Sequence, residues 1–324
     1  MYDVKEIQAT AQTIFEKYET RFGRREKDAF LEFCSSRFKG LGYAEDEISI
    51  HKSALGKNLV VGPIDADILV TAHYDTPAHN GYIALPFVRI FGQALSTLLG
   101  AVILLVIFFL SGVAGGVLYG IGVIPSLYLI HIVNYIVLAL LVALVFLFKN
   151  KHNRNDNTSG VLGVLAVAAL AAQNPGLKKK CAFVLFDNEE KMLWGSYAFA
   201  AHRRKTCPKK SGSPVINLDC IGDGDVLAVA SPKKHEVWDK LAEHFREDGF
   251  ETEKKHSMLI YMSDHANFSR GVMVSFARRS RLGPLYLPNV HTRRDTVCDL
   301  DLIERLGGSV CRFVEKIQEG ENNG

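Results

Sequence analysis

From Ile90 to Phe148 the chain carries no Asp, Glu, Lys or Arg. Few folds accept such a run. A membrane-spanning helix needs about 20 apolar residues, and this stretch holds enough for two. A buried pair of core helices is the other way to hide it, but a soluble core helix does not need this length without one charge. The expected arrangement is a transmembrane hairpin, with spans over 94–118 and 127–148 and a turn at Gly120, Gly122 and Pro125. Arg89 precedes it, Lys149, Lys151 and Arg154 follow it, and the turn is uncharged. Excess Lys and Arg mark cytoplasmic flanks. Both ends, with the polar segments joined to them, are therefore expected in the cytosol and the turn outside.

The cysteines fit that compartment. Cys34, Cys181, Cys207, Cys220, Cys298 and Cys311 are scattered, which points to no disulfide framework. The first residues are polar and do not form a signal peptide. Gly112, Gly116 and Gly120 stand four apart. They either let hairpins pack closely into a homo-oligomer or belong to a glycine-rich turn. The net charge of +3 is nearly balanced, so nucleic acid is not an expected partner. The basic clusters Lys178-Lys179-Lys180 and Arg278-Arg279-Ser280-Arg281 read as solvated surface.

On either side of the hairpin the pattern is that of an α/β protein. Helical periodicity covers 4–21 and 25–40, and strands are expected over 48–51, 58–61 and 67–70. Past Arg154, helices over 161–172, 191–201, 233–248 and 300–317 alternate with strands over 181–186, 215–218, 226–230 and 271–276. Such alternation implies a mixed, largely parallel sheet flanked by helices. The domain plan is one domain made of 1–84 and 151–318, an inserted hairpin over 85–150, and a disordered tail over 319–324.

Ligand sites in such sheets lie outside the carboxyl ends of the strands. Five segments with chemically capable side chains fall at those ends. They are Thr71-Ala72-His73-Tyr74-Asp75-Thr76-Pro77, Asn155-Asp156-Asn157-Thr158-Ser159-Gly160, Phe186-Asp187-Asn188-Glu189-Glu190, Ile216-Asn217-Leu218-Asp219, and Val290-His291-Thr292-Arg293-Arg294-Asp295-Thr296. Each has an ordinary reading: a capped strand end at His73, a helix N-cap at Asp156, an acidic helix start at Glu189 and Glu190. Together they offer imidazole and carboxylate donors without thiolate, a set that suits catalytic zinc.

In this order the five segments resemble peptidase family M28, the co-catalytic di-zinc aminopeptidases. The resemblance implies two Zn2+ ions, one held by His73, Asp156 and Asp219, the other by Asp156, Glu190 and His291. It implies Glu189 as general base and acid, Asp75 as the group orienting His73, and a supporting role for Asp295. Ser263-Asp264-His265 resembles a segment of the pocket wall, while Tyr261 stands one position out of register with a family tyrosine. Lys191-Met192 depart from the small residues the family shows after its Glu pair. The implied activity is hydrolysis of peptide substrates by a membrane-anchored aminopeptidase. Two alternatives share the architecture: a glutaminyl cyclase with one zinc, and a non-catalytic receptor or scaffold, which would have lost ligands. The hairpin lies between the His73 and Asp156 motifs, which must converge. It is therefore expected to be an insertion, with its ends at the rim of the site.

Overall fold

The computed structural model describes residues 4–78, 85–123, 125–147, 149–257 and 261–322. Nine helices among them are α1 Val4–Lys17, α2 Arg24–Gly40, α3 Leu85–Gly120, α4 Leu127–Leu147, α5 Gly160–Ala172, α6 Pro175–Lys180, α7 Trp194–Thr206, α8 Glu236–Glu247 and α9 Leu300–Asn322. The strands are β1 Ile48–Ser53, β2 Gly56–Val61, β3 Ile68–His73, β4 Cys181–Phe186, β5 Val215–Leu218, β6 Val226–Ser231, β7 Thr252–His256, β8 Gly271–Arg279 and β9 Leu285–Tyr286.

They form one sheet in the order β1-β2-β4-β3-β5-β8-β6-β7, with β9 paired to β8. The centre, β4-β3-β5-β8, is parallel. β1 and β2 at one side, and β6 against β8, run antiparallel. The central strands are buried along their whole length, which is why they read as continuous apolar runs. Alternation still sorts their side chains. Ile68, Val70, Ala72, Cys181, Phe183 and Leu185 face the larger core under α1, α2, α5 and α9. Leu69, Ala182, Val184 and Phe186 face a smaller one with Phe199 of α7. The result is a mixed sheet between two helical layers.

The apolar run forms two helices. α3 contains a stretch, Ala94–Gly120, of 27 residues that is long and apolar enough to cross a membrane. In α4 the described apolar stretch is Tyr128–Leu140, shorter than a span. One span is therefore supported; the second span and the expected orientation are not. The helices approach at Gly115, where a Cβ would lie 2.4 Å from Ile130 Cγ2, whereas a Cβ at Gly112, Gly116 or Gly120 would meet nothing within 4 Å. The two ends of the run lie side by side. Ala78 and Lys149 form an antiparallel bridge, and Asn150 N donates to Pro77 O at 3.1 Å. α9 stays helical to Asn322; of the expected tail, 323–324 lie outside the described residues.

Candidate metal centre

The parallel strands deliver the site. His73 ends β3 and pairs in register with Phe186, the last residue of β4. The Glu189-Glu190 turn leaves from there, shaped by positive φ at Asn188, Met192 and Leu193. Asp219 follows β5 and continues its ladder by donating its N–H to Val274 O at 3.1 Å.

Asp156 lies in the turn before α5, and its neighbours fix that turn to the end of β5. Asn157 Nδ2 donates to Leu218 O at 3.0 Å, and Asn157 Oδ1 accepts from Cys220 N at 3.1 Å. Ser159 Oγ accepts from Ile221 N at 2.9 Å, and Asn155 Oδ1 accepts from Gly222 N at 2.7 Å. Asp295 clamps the other side: its two oxygens accept from Asn155 N at 2.8 Å and Asp156 N at 2.9 Å. Asp295 thus holds the backbone that carries Asp156.

The chemically capable side chains converge. Asp156 Oδ1 is 3.3 Å from His73 Nε2, and Asp156 Oδ2 is 3.1 Å from His291 Nε2. His73 Nε2 is also 3.8 Å from Asp219 Oδ1, and His291 Nε2 is 3.2 Å from Glu190 Oε1. Donor atoms of His73, Asp156 and Glu190 lie within 4.8 Å of one another, as do those of His73, Glu189 and Asp219. All the residues expected at the site are therefore brought together. Asp75 is closer to Glu189 than to its expected partner. Its Oδ1 accepts from Glu189 N at 3.1 Å but is 3.6 Å from His73 Nδ1; the nearer acceptor for that nitrogen is the Asp75 backbone oxygen at 3.2 Å.

Burial and mutual repulsion dominate the electrostatics. Burial, then Glu190, Asp219 and Asp264, raise the Glu189 carboxyl well above the ordinary range against the pull of His73. Burial and Asp156 raise Glu190, although His291 opposes them. Burial works against protonation of His73 and His291, yet the surrounding carboxylates outweigh it and raise both. Burial likewise works against ionised Asp156, but the two imidazoles outweigh it and lower its pKa. Four carboxylates and two imidazoles packed this tightly fit divalent cations between them. Glu190 Oε1 is buried with only the His291 imidazole against it, at 3.2 Å and without hydrogen-bond geometry, and points the same way.

The model of Peptidase family M28 matches residues 151–314, about half of the chain. The chain belongs to peptidase family M28. The matched residues include Asp156, Glu189, Glu190, Asp219 and His291; His73 and Asp75 lie before them and reach the site through β3. Solved structures agree in fold. The LapA aminopeptidase of Legionella pneumophila superposes with a TM-score of 0.60 at 15% identity, covering 96% of this chain and 68% of that one. A leucine aminopeptidase precursor from Bacteroides thetaiotaomicron gives 0.58 at 13%, covering 97% of each chain. A glutaminyl cyclase of the same organism, bound to N-acetylhistamine, gives 0.57 at 13%, covering 97% of this chain and 98% of that one. No curated protein matches the sequence.

Within this M28 chain, two buried cations escape a reading of the sequence. Arg21 Nε donates to Tyr74 O at 2.5 Å and Arg21 Nη2 to Thr158 Oγ1 at 3.0 Å, joining the His73 and Asp156 segments. Burial lowers its pKa to about 10, with Cys34, Asp75, Asp156 and Asp295 opposing the shift. Lys27 Nζ meets Asp187 Oδ1 at 2.6 Å and Asn188 Oδ1 at 2.7 Å, bracing the turn that carries Glu189. Neither has a sequence signal: Arg21 lies between two helices, and Lys27 is a charge on the face of α2 that also buries Phe30, Leu31 and Cys34. Ser263 is tied to the sheet by Asn217 Nδ2 at 2.9 Å. Tyr261 lies in a separate apolar cluster with Met273 and Leu285.

Proposed function

We propose that the chain is a membrane-anchored peptidase with two zinc ions, acting as an aminopeptidase. The observation that carries this reading is the placement of Asp156, whose two oxygens face different histidines at 3.3 and 3.1 Å. One carboxylate oriented this way could serve two cations, one oxygen each. His73, Asp156 and Asp219 would hold one zinc; Asp156, Glu190 and His291 would hold the other. Bound there, zinc would supply Lewis-acid polarisation of the scissile carbonyl and would make water acidic enough to lose a proton near neutral pH.

The remaining work falls to side chains. Glu189 lies beside His73 and Asp219, where its carboxylate takes a proton from water and later returns it to the leaving amine. Burial keeps that carboxyl basic enough for the task. Asp75 holds the Glu189 backbone, and its carbonyl fixes the ring of His73. The anchor is the apolar stretch of α3, whose length supports one crossing.

Glu189→Gln tests the reading. It removes the proton carrier and no ligand, so zinc content should stay at the wild-type level while kcat on an aminoacyl arylamide falls by about 10²–10⁴. Near wild-type kcat would overturn the assignment. Glutaminyl cyclases share the fold, so the assay includes a peptide with N-terminal glutamine. Ammonia release without cleavage of any peptide bond would favour the cyclase reading instead.

A further inference from the structure

The cluster Arg278-Arg279-Ser280-Arg281, expected on solvated surface, lies at the foot of the apolar run. β8 and β9 form a hairpin whose tip is fastened to the start of α3: Arg281 N donates to Arg89 O at 2.9 Å, and Leu282 N to Ile90 O at 3.1 Å. Gly92 interrupts the helix at this point with φ 78°. A Cβ there would lie 2.7 Å from Pro284 Cβ, so only glycine lets α3 pass this close over the tip. At the other end of the run, Asn150 Nδ2 donates to Thr292 O at 3.2 Å. The foot of the run therefore touches both ends of the segment 281–292, which carries His291.

Cations outnumber anions around this foot: Lys149, Arg278 and Arg279 are paired with Glu26, with Asp223, and with Glu251 and Glu253, and further cations lie beside them. Arg89, Lys151, Arg281, Arg293 and Arg294 are all exposed, and the segments 149–154, 278–284 and 292–294 contain no Asp or Glu. Leu282, at the tip, is 64% exposed. Exposed cations and an exposed leucine at the foot of a 27-residue apolar stretch that the rest of the chain leaves uncovered match the layers of a leaflet. Hydrocarbon takes the helix, the interface takes the leucine, and anionic phosphates take the cations.

We infer that the foot of α3 and the β8–β9 tip form a docking surface for anionic phospholipid headgroups. Thr292 adjoins His291, and Pro77 comes two residues after Asp75, so docking holds the mouth of the metal centre against the lipid. The substrate class that follows, and that rests on the peptidase reading, is peptides whose N-termini lie at the membrane surface.

The full chain in nanodiscs of phosphatidylcholine, with or without phosphatidylglycerol, tests this. A fluorophore on Leu282→Cys is read against quencher-bearing headgroups. Strong quenching in the anionic discs and weak quenching in the neutral ones are expected. Arg89→Gln with Arg281→Gln, which removes two cations, should weaken the docking equilibrium by about 25-fold, at about fivefold per cation. Arg89→Glu with Arg281→Glu, which reverses both charges, should weaken it further. Quenching that is equal in both lipids and indifferent to these changes would overturn the docking surface, as would quenching seen only with a second labelled chain in the disc. Hydrolysis of a soluble arylamide in the same samples should be unchanged by the substitutions. Its absence alongside lipid-dependent quenching would overturn the peptidase reading and leave the docking surface standing. A lipid-anchored peptide should be cleaved faster than its soluble form in anionic discs, and equal rates would overturn the substrate class.

Discussion

Single residues show how much of the site is support. Asp295 accepts both amides that lead into Asp156, and its burial beside Asp156 raises its carboxyl pKa well above the ordinary range. Asp295→Asn keeps the shape but turns an amide donor toward an N–H. Zinc affinity should fall by about 10–100-fold, as for other groups that orient ligands, and titration with a competing chelator measures it. Unchanged affinity would show that the turn holds itself. Arg21 is the second such group. Arg21→Met leaves Tyr74 O, Tyr18 O and Thr158 Oγ1 without the donors they now have. The cost should be about 3 kcal/mol, because hydrogen bonds from a charged donor are lost inside the core, and a urea unfolding curve reads it. Asp295 was legible from its motif, whereas Arg21 was not. An arginine between two helical stretches looks like a linker until the fold closes over it.

At the scale of elements, apolar pattern was the reliable guide. β4 and β5 match the expected 181–186 and 215–218, because strands buried on both faces leave uninterrupted apolar runs. β7 was missed because Thr252-Glu253-Lys254-Lys255-His256 has no apolar residue. It is an edge strand held by ion pairs such as Arg279 to Glu253, and charge on an edge blocks unwanted pairing. α7 starts at Trp194 rather than 191, since Met192 and Leu193 take positive φ to finish the Glu turn. Gly195 then lets the helix press on that turn: a Cβ would lie 2.0 Å from Asp187 O, a backbone atom. Gly195→Ala should therefore destabilise by about 3 kcal/mol, at the upper end for overpacking, with loss of activity; thermal unfolding and the arylamide assay read both. A variant as stable and active as wild type would mean that the turn is free to shift.

For the whole molecule, the question is how an apolar run of this size sits inside an enzyme. The bridge between Ala78 and Lys149 gives a physical reason to treat the run as an insertion: the chain leaves the sheet domain and returns at one place. Replacing 79–148 with a short Gly-Ser linker should give a protein that binds zinc and keeps kcat/KM on a soluble arylamide within about twofold, since short connections between such neighbours are the usual case. A variant unable to bind zinc would make the run part of the core. The apolar run and the side chains that converge around Asp156 were both legible in the sequence. The bracing of the insertion against the His291 segment was not, because it rests on backbone contacts between positions far apart in the chain.

The central claim is that Asp156 serves two cations at once. Native mass spectrometry of the detergent-solubilised, fully active protein, after equilibration with zinc, counts the ions directly. The account predicts two zinc ions per chain, and a fully active protein holding a single ion would contradict it.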